Sequence, residues 1–194
     1  MADENDEDFD PEAQPDEAFS LDAFKRDSAL GKAAFAKLHG RAFLLLQRAS
    51  SASSKQRLRA PSKPTRTLVT RASQRSEELP PSRYLVFPVR KTERSTIQRF
   101  YSLGQTRNND IVIRDVSVSK FHAFFQDDEH GGLLLQDARS TNGTFVNGVR
   151  VPRQGQGAPV KVQNGDQLRF GTVELNFIEA EMFRELVTRV LKGE

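Results

Sequence analysis

The sequence predicts an all-β sandwich of short antiparallel strands, preceded by a helical and disordered N-terminal extension and followed by a short C-terminal helix. Three observations point there. From residue 84 onward, runs of three to seven β-branched, Leu or aromatic residues are separated by clusters of Gly, Asn, Asp and Ser. Asn-Gly pairs at 147 and 164 stand between such runs, and both residue types tolerate the positive φ of a tight hairpin. Mean hydropathy is −0.59 with 37% hydrophobic residues, too polar for 194 residues folded throughout but sufficient for a core of about 100.

Residues 1–24 hold ten carboxylates and no Lys or Arg, so self-repulsion predicts an acidic disordered tail. Residues 25–48 read as a basic amphipathic helical segment. Leu21, Phe24, Ala33, Ala34, Phe35, Leu38, Ala42, Phe43 and Leu46 recur at roughly helical spacing, which predicts one or two helices between about Ser20 and Gln47. Gly31 and Gly40 weigh against one continuous helix, each costing ~1 kcal/mol relative to alanine. Residues 49–82, rich in Ser, Pro, Lys and Arg and ending at Pro80-Pro81, read as a basic linker. Strands are predicted at 84–89, 97–103, 111–113, 122–126, 133–136, 144–146, 167–170 and 173–178, within a domain spanning 83–179. From Glu179 to Lys192, Met182, Leu186, Val187 and Val190 share one side of a helix that Gly193 would end, giving a terminal segment of 180–194.

Composition excludes several functions. With no cysteine there is no disulfide framework, thiolate catalysis or thiolate metal site. The longest apolar cluster, 42–46, is far short of the ~18 residues a membrane span needs, and the N-terminus is acidic where a signal peptide is basic; a soluble, cytoplasmic protein is expected. The three histidines, His39, His122 and His130, accompany no P-loop, no nucleophile-base-acid set and no cofactor or metal motif. Recognition rather than catalysis is the expectation.

The distinctive stretch runs from Leu103 to Gly148. It contains Gly104-Gln105, Asp110-Ile111, Ser119 to His122, Thr141-Asn142-Gly143-Thr144 and Asn147-Gly148, with turn chemistry at each junction. In this order the motifs resemble those of the forkhead-associated (FHA) domain, whose pattern has Gly-Arg where this chain has Gly104-Gln105. The resemblance covers about residues 84–178 and implies an FHA-type β-sandwich that binds phosphothreonine peptides. A phosphate offers only acceptor oxygens, so its pocket must be built of donors. The resemblance implies that the Ser119 hydroxyl and Lys120 amide hold phosphate oxygens, that the Thr141 hydroxyl closes the pocket, and that Asn142 binds the peptide main chain. Lys120 and Arg139 would add positive charge. Gly104, His122, Gly143, Asn147 and Gly148 are expected to be structural, His122 by bracing loops. Asp110 and Asp137 read as turn and strand-end residues.

Gln105 departs from the family pattern. Arginine there would give phosphate a charged hydrogen bond of ~1.5–3 kcal/mol, and Gln offers only a neutral donor. Arg107, two residues along, is the candidate replacement.

The expected partner is a phosphothreonine protein or peptide made by a Ser/Thr kinase, in a signalling adaptor. No threonine precedes Thr65, so a ligand within the N-terminal arm could only be Thr65, Thr67 or Thr70. The alternative is a phosphate-independent scaffold whose basic arm binds nucleic acid or acidic proteins. Eleven cations and no carboxylate between Ser28 and Ser76 support it.

Overall fold

The structure, a computed structural model, describes residues 18–47 and 84–192. The chain begins with β1 (Phe19–Ser20), two 3₁₀ turns at Leu21–Phe24 and Asp27–Ala29, α1 (Lys32–His39) and β2 (Ala42–Gln47). It resumes with β3 (Tyr84–Val89), β4 (Tyr101–Gly104), β5 (Ile111–Val112), β6 (Ala123–Asp127), β7 (Leu133–Asp137), β8 (Thr144–Val146) and β9 (Val149–Arg150). Then come β10 (Val160–Val162), β11 (Gln167–Phe170), β12 (Val173–Glu179) and α2 (Ala180–Lys192).

The strands form two sheets, ordered β1-β3-β2-β12-β11-β8-β9 and β10-β7-β6-β4-β5. All pairs are antiparallel except β4–β5. Alternate side chains of both sheets interdigitate into one core, with Leu44, Phe87, Leu103, Ile111, Phe125, Leu135, Leu168, Phe170 and Phe177 at its centre. This is the sandwich expected from the sequence, and the C-terminal helix is present.

Residues 42–47 depart from expectation. Read as part of the basic helical segment, they form a strand in the middle of the seven-stranded sheet, between β3 and β12. The reason is burial on both faces. Ala42 and Leu44 point into the core between the sheets, while Phe43 and Leu45 enter a second core under α1, α2 and the first 3₁₀ turn. A continuous apolar run is what a doubly covered strand requires, and its periodicity cannot be told from that of a buried helix. The single α-helix of the predicted segment is α1, ending where Gly40 takes a φ of 113°.

The second core is built from rings. Phe43 stacks on Phe183 of α2 at 3.9 Å, and Phe24 meets Phe183 edge-on at 5.0 Å. Leu21, Phe35, Val86 and Val187 complete it.

The domain boundary changes accordingly. Gln47 pairs with Tyr84 across β2–β3, so residues 48–83 join two neighbouring strands of one sheet and do not link separate units. The start of the domain at residue 83 is therefore corrected to include residues 18–47. The acidic stretch 1–17, residues 48–83 and Gly193 lie outside the described residues.

Candidate functional site

Three connections meet at one end of the sandwich: residues 105–110 between β4 and β5, 113–122 between β5 and β6, and 138–143 between β7 and β8. Their contacts are hydrogen bonds between polar side chains and backbone. The Ser119 hydroxyl accepts the Thr141 N–H at 3.0 Å and lies 3.4 Å from the Thr141 hydroxyl. One loop's serine thus seats the other loop's threonine. Asn142, exposed beside them, donates from Nδ2 to the Ser117 carbonyl at 2.8 Å.

His122 supports this arrangement from inside. Its Nδ1 accepts the Ser119 N–H at 2.9 Å, so Nε2 carries the proton and donates to the Gly143 carbonyl at 3.2 Å. The ring is fully buried, and burial pushes its pKa below the usual 6.5 against the smaller raising effects of the Gly143 bond and the Asp137 charge. A neutral imidazole with one donor and one acceptor is the species that can bridge these loops.

Asp137 anchors the third loop. Its buried carboxylate accepts the Ser140 N–H at 3.0 Å, the Ser140 hydroxyl at 2.6 Å and the Thr144 hydroxyl at 2.7 Å. Ser140 Oγ in turn accepts the Gly143 N–H at 2.9 Å. Asp110, where the first loop ends, ties the start of β5 to β4 and to the residues that follow β3. Burial favours its protonated form, but hydrogen bonds from Lys91, Thr92 and Ser102 together outweigh burial and hold its pKa below 3.8. Both aspartates are more than turn residues: Asp137 organises the third loop and Asp110 fixes the base of the first.

The glycines act sterically. A Cβ on Gly104 would collide with the Lys120 carbonyl oxygen, so only glycine lets the first and second loops touch. Gly143 has a φ of 86°. Asn147 and Gly148, with φ of 50° and 80°, form the β8–β9 hairpin at the far end of β8 from the loop cluster.

The remaining candidate phosphate-binding side chains are placed unequally. Gln105 turns its amide inward: Nε2 donates to the Asp115 carbonyl at 3.2 Å and its N–H to the Ser119 carbonyl at 3.0 Å. Its side chain closes the second loop. Arg107 is exposed on the first loop. The Lys120 side chain is exposed beside Ser119, while its carbonyl accepts bonds from Thr106 Oγ1 at 2.9 Å and Asn109 Nδ2 at 2.8 Å. Arg139, at a φ of 64°, sends its Nε to the Gln154 carbonyl at 3.3 Å, towards the 154–157 turn rather than Ser119.

Ser117 is a site residue that the sequence reading missed. Its hydroxyl donates to Asp115 Oδ1 at 2.6 Å and accepts the Thr172 N–H at 3.0 Å, clamping the second loop to the β11–β12 turn. The Asp-x-Ser pattern at 115–117 was its signal, a side chain bonding the backbone two residues on. Among the described residues, no three His, Asp or Glu side chains converge as metal ligands. The assembled cluster of hydroxyls, amides and exposed cations can hold an anion and a peptide backbone.

Comparison with known proteins gives the same picture for this stretch. The FHA domain family model matches residues 101–171. A Mycobacterium tuberculosis protein, the ABC transporter ATP-binding/permease protein Rv1747, is 37% identical over 92 residues, 45% of this chain and 10% of its own length. The oxoglutarate dehydrogenase inhibitor of Corynebacterium glutamicum is 39% identical over 75 residues, 39% of this chain and 48% of its own length. The chain thus spans about half or less of these relatives. A solved structure of Mycobacterium tuberculosis EmbR in complex with a low-affinity phosphopeptide aligns at 29% identity, covering 41% of this chain and 20% of that one, with a TM-score of 0.36. Residues 101–171 of this chain carry the sequence signature of the FHA domain family.

Proposed function

We propose that the three loops bind a phosphothreonine peptide, and that the protein is a non-catalytic, cytoplasmic adaptor acting downstream of a Ser/Thr kinase. The observation that carries this reading is the seating of Thr141 on the Ser119 hydroxyl, with Asn142 exposed beside the pair. In the family pattern these three positions contact the phosphate and the peptide main chain. The Ser119 hydroxyl, the Lys120 amide and the Thr141 hydroxyl supply phosphate donors, and Lys120 and Arg107 bring charge from the rim. Arg139 is set aside as a direct contact because it bonds Gln154.

A ligand from within the chain is within reach by contour length. Residues 48–83 leave and re-enter the sheet at Gln47 and Tyr84, and Thr70 stands 14 positions before Tyr84. Fully extended, that length spans up to about 46 Å, beyond the ~19 Å across four strand spacings.

One observation favours the second reading, a phosphate-independent scaffold whose basic arm binds nucleic acid or acidic proteins. The Gln105 amide is already engaged by the Asp115 carbonyl. Calorimetric titration of the full chain with a phosphothreonine peptide and its unphosphorylated control separates the two. Phosphate-dependent, micromolar binding is expected, tightened about tenfold to a hundredfold by Gln105→Arg. Equal binding of both peptides would establish the scaffold instead.

A further inference from the structure

The chain contains three Asn-Gly pairs, at 142, 147 and 164, and only the first stands in the loop cluster. The dipeptide carries its own chemistry. No Cβ hinders the glycine nitrogen, which can attack the asparagine side-chain carbonyl carbon beside it. An N–Cγ bond forms, the Cγ–Nδ2 bond breaks, and Nδ2 leaves as ammonia with the proton that the glycine nitrogen gives up. Water then opens the five-membered imide at either carbonyl, leaving aspartate or isoaspartate.

The three glycines share nearly one backbone conformation, with φ of 86°, 80° and 91°, so the pairs differ in what holds them. Asn147 is held at both ends of its carboxamide: Nδ2 donates to Asp166 at 2.7 Å and Oδ1 accepts the Gln167 N–H at 2.9 Å. Asn164 Oδ1 accepts the Glu179 N–H at 3.1 Å, and the Gly165 N–H donates to the Phe177 carbonyl at 2.8 Å. Gln167, Phe177 and Glu179 are strand residues, so freeing either pair means opening β11 or β12. At 142 the bonds on the reacting groups come from loops. Asn142 Nδ2 donates to the Ser117 carbonyl at 2.8 Å, and the Gly143 N–H donates to Ser140 Oγ at 2.9 Å. Both break on a local opening that leaves every strand pair intact, and local openings are more frequent than the opening of a sheet.

We propose that Asn142–Gly143 is a modification site, at which opening of the third loop lets Asn142 deamidate, and that the Ser140 hydroxyl guards it by holding the Gly143 N–H. The product has different chemistry. A carboxamide offers a donor and an acceptor, whereas a carboxylate offers acceptors alone and sets a negative charge beside a phosphate. One conversion therefore disables the loop as a phosphopeptide reader. A bound phosphothreonine peptide, engaging Asn142, protects its own site. That protection rests on the phosphothreonine reading; the modification itself does not.

The full chain is incubated in mildly alkaline buffer, and peptide mapping by mass spectrometry follows aspartate and isoaspartate at all three positions. In the native wild type, Asn142 should convert first, about tenfold faster than Asn147 or Asn164. Ser140→Ala should speed Asn142 about fivefold further and leave the other two unchanged. A phosphothreonine peptide at ten times its Kd should slow Asn142 alone by about tenfold. Earlier conversion of Asn147 or Asn164 in the wild type would overturn the proposal whatever the variant does. Equal acceleration of all three in Ser140→Ala would mean that the chain opens as a whole, and overturns the guarding role. A bound peptide that leaves the Asn142 rate unchanged overturns the protection. Absence of any phosphate-dependent binding would remove the phosphothreonine reading, while the order of the three sites still decides the modification.

Discussion

The loop end of the sandwich and the helical cap behind it are held together by opposite means. At the loop end, buried Asp110, Asp137 and His122 satisfy backbone and hydroxyl groups of successive connections. In the cap, Phe24, Phe35, Phe43 and Phe183 pack ring against ring, with the His39 imidazole seated against Phe24 and Phe35. Hydrogen bonds specify positions, which a binding site needs; apolar burial supplies undirected stability. The family match covers 101–171, yet β2, β3 and β12, at the heart of one sheet, all lie outside it. The recognisable part holds much of the core but is smaller than the folding unit, which also needs β2, β3 and β12.

Removing residues 18–47 should break this comparison most severely. The deletion takes β2 from between β3 and β12, and far-UV circular dichroism should show loss of the native sheet, whereas an accessory cap would leave a folded domain. Phe183→Ala, which empties the stack on Phe43, should cost about 3–5 kcal/mol in denaturant unfolding while sparing ligand affinity in the molecules that remain folded. Asp137→Ala should cost about 2–4 kcal/mol by stranding the buried donors of Ser140 and Thr144. Unlike Phe183→Ala, it should also abolish phosphopeptide binding, because the Thr141–Asn142 loop loses its anchor.

The smallest effect is a pH slope. His122 has a lowered pKa when folded, so below 6.5 the unfolded chain takes up a proton that the folded one refuses. Its stabilising contribution is complete above 6.5 and is lost as pH falls through that value towards the folded pKa. Unfolding midpoints should drop between pH 7.5 and 5.5, and His122→Gln should flatten the slope. Asp110 does not interfere, since its contribution declines only below about 3.8.

Much of the sandwich was legible because its strands are half-buried and bounded by turn residues. Gln167–Phe170 and Thr144–Val146 read correctly for that reason. β2 was not, since burial on both faces erased its alternation. β9 and β10, of two and three residues, are too short to carry a period. At the site, residues that bond near neighbours in sequence were readable from turn chemistry. The bond from the Thr172 N–H to Ser117 was not: it joins turns 55 positions apart, a contact no local pattern encodes.

The pairing of Gln47 with Tyr84 has a consequence for the integrity of the chain. A single break anywhere in residues 48–83 would yield two polypeptides, neither holding the complete seven-stranded sheet, yet β2 would remain hydrogen-bonded to β3 on one side and β12 on the other. The pieces would co-purify as one native particle and part only on denaturation. The protein is thus a natural candidate for reconstitution from two separately made halves.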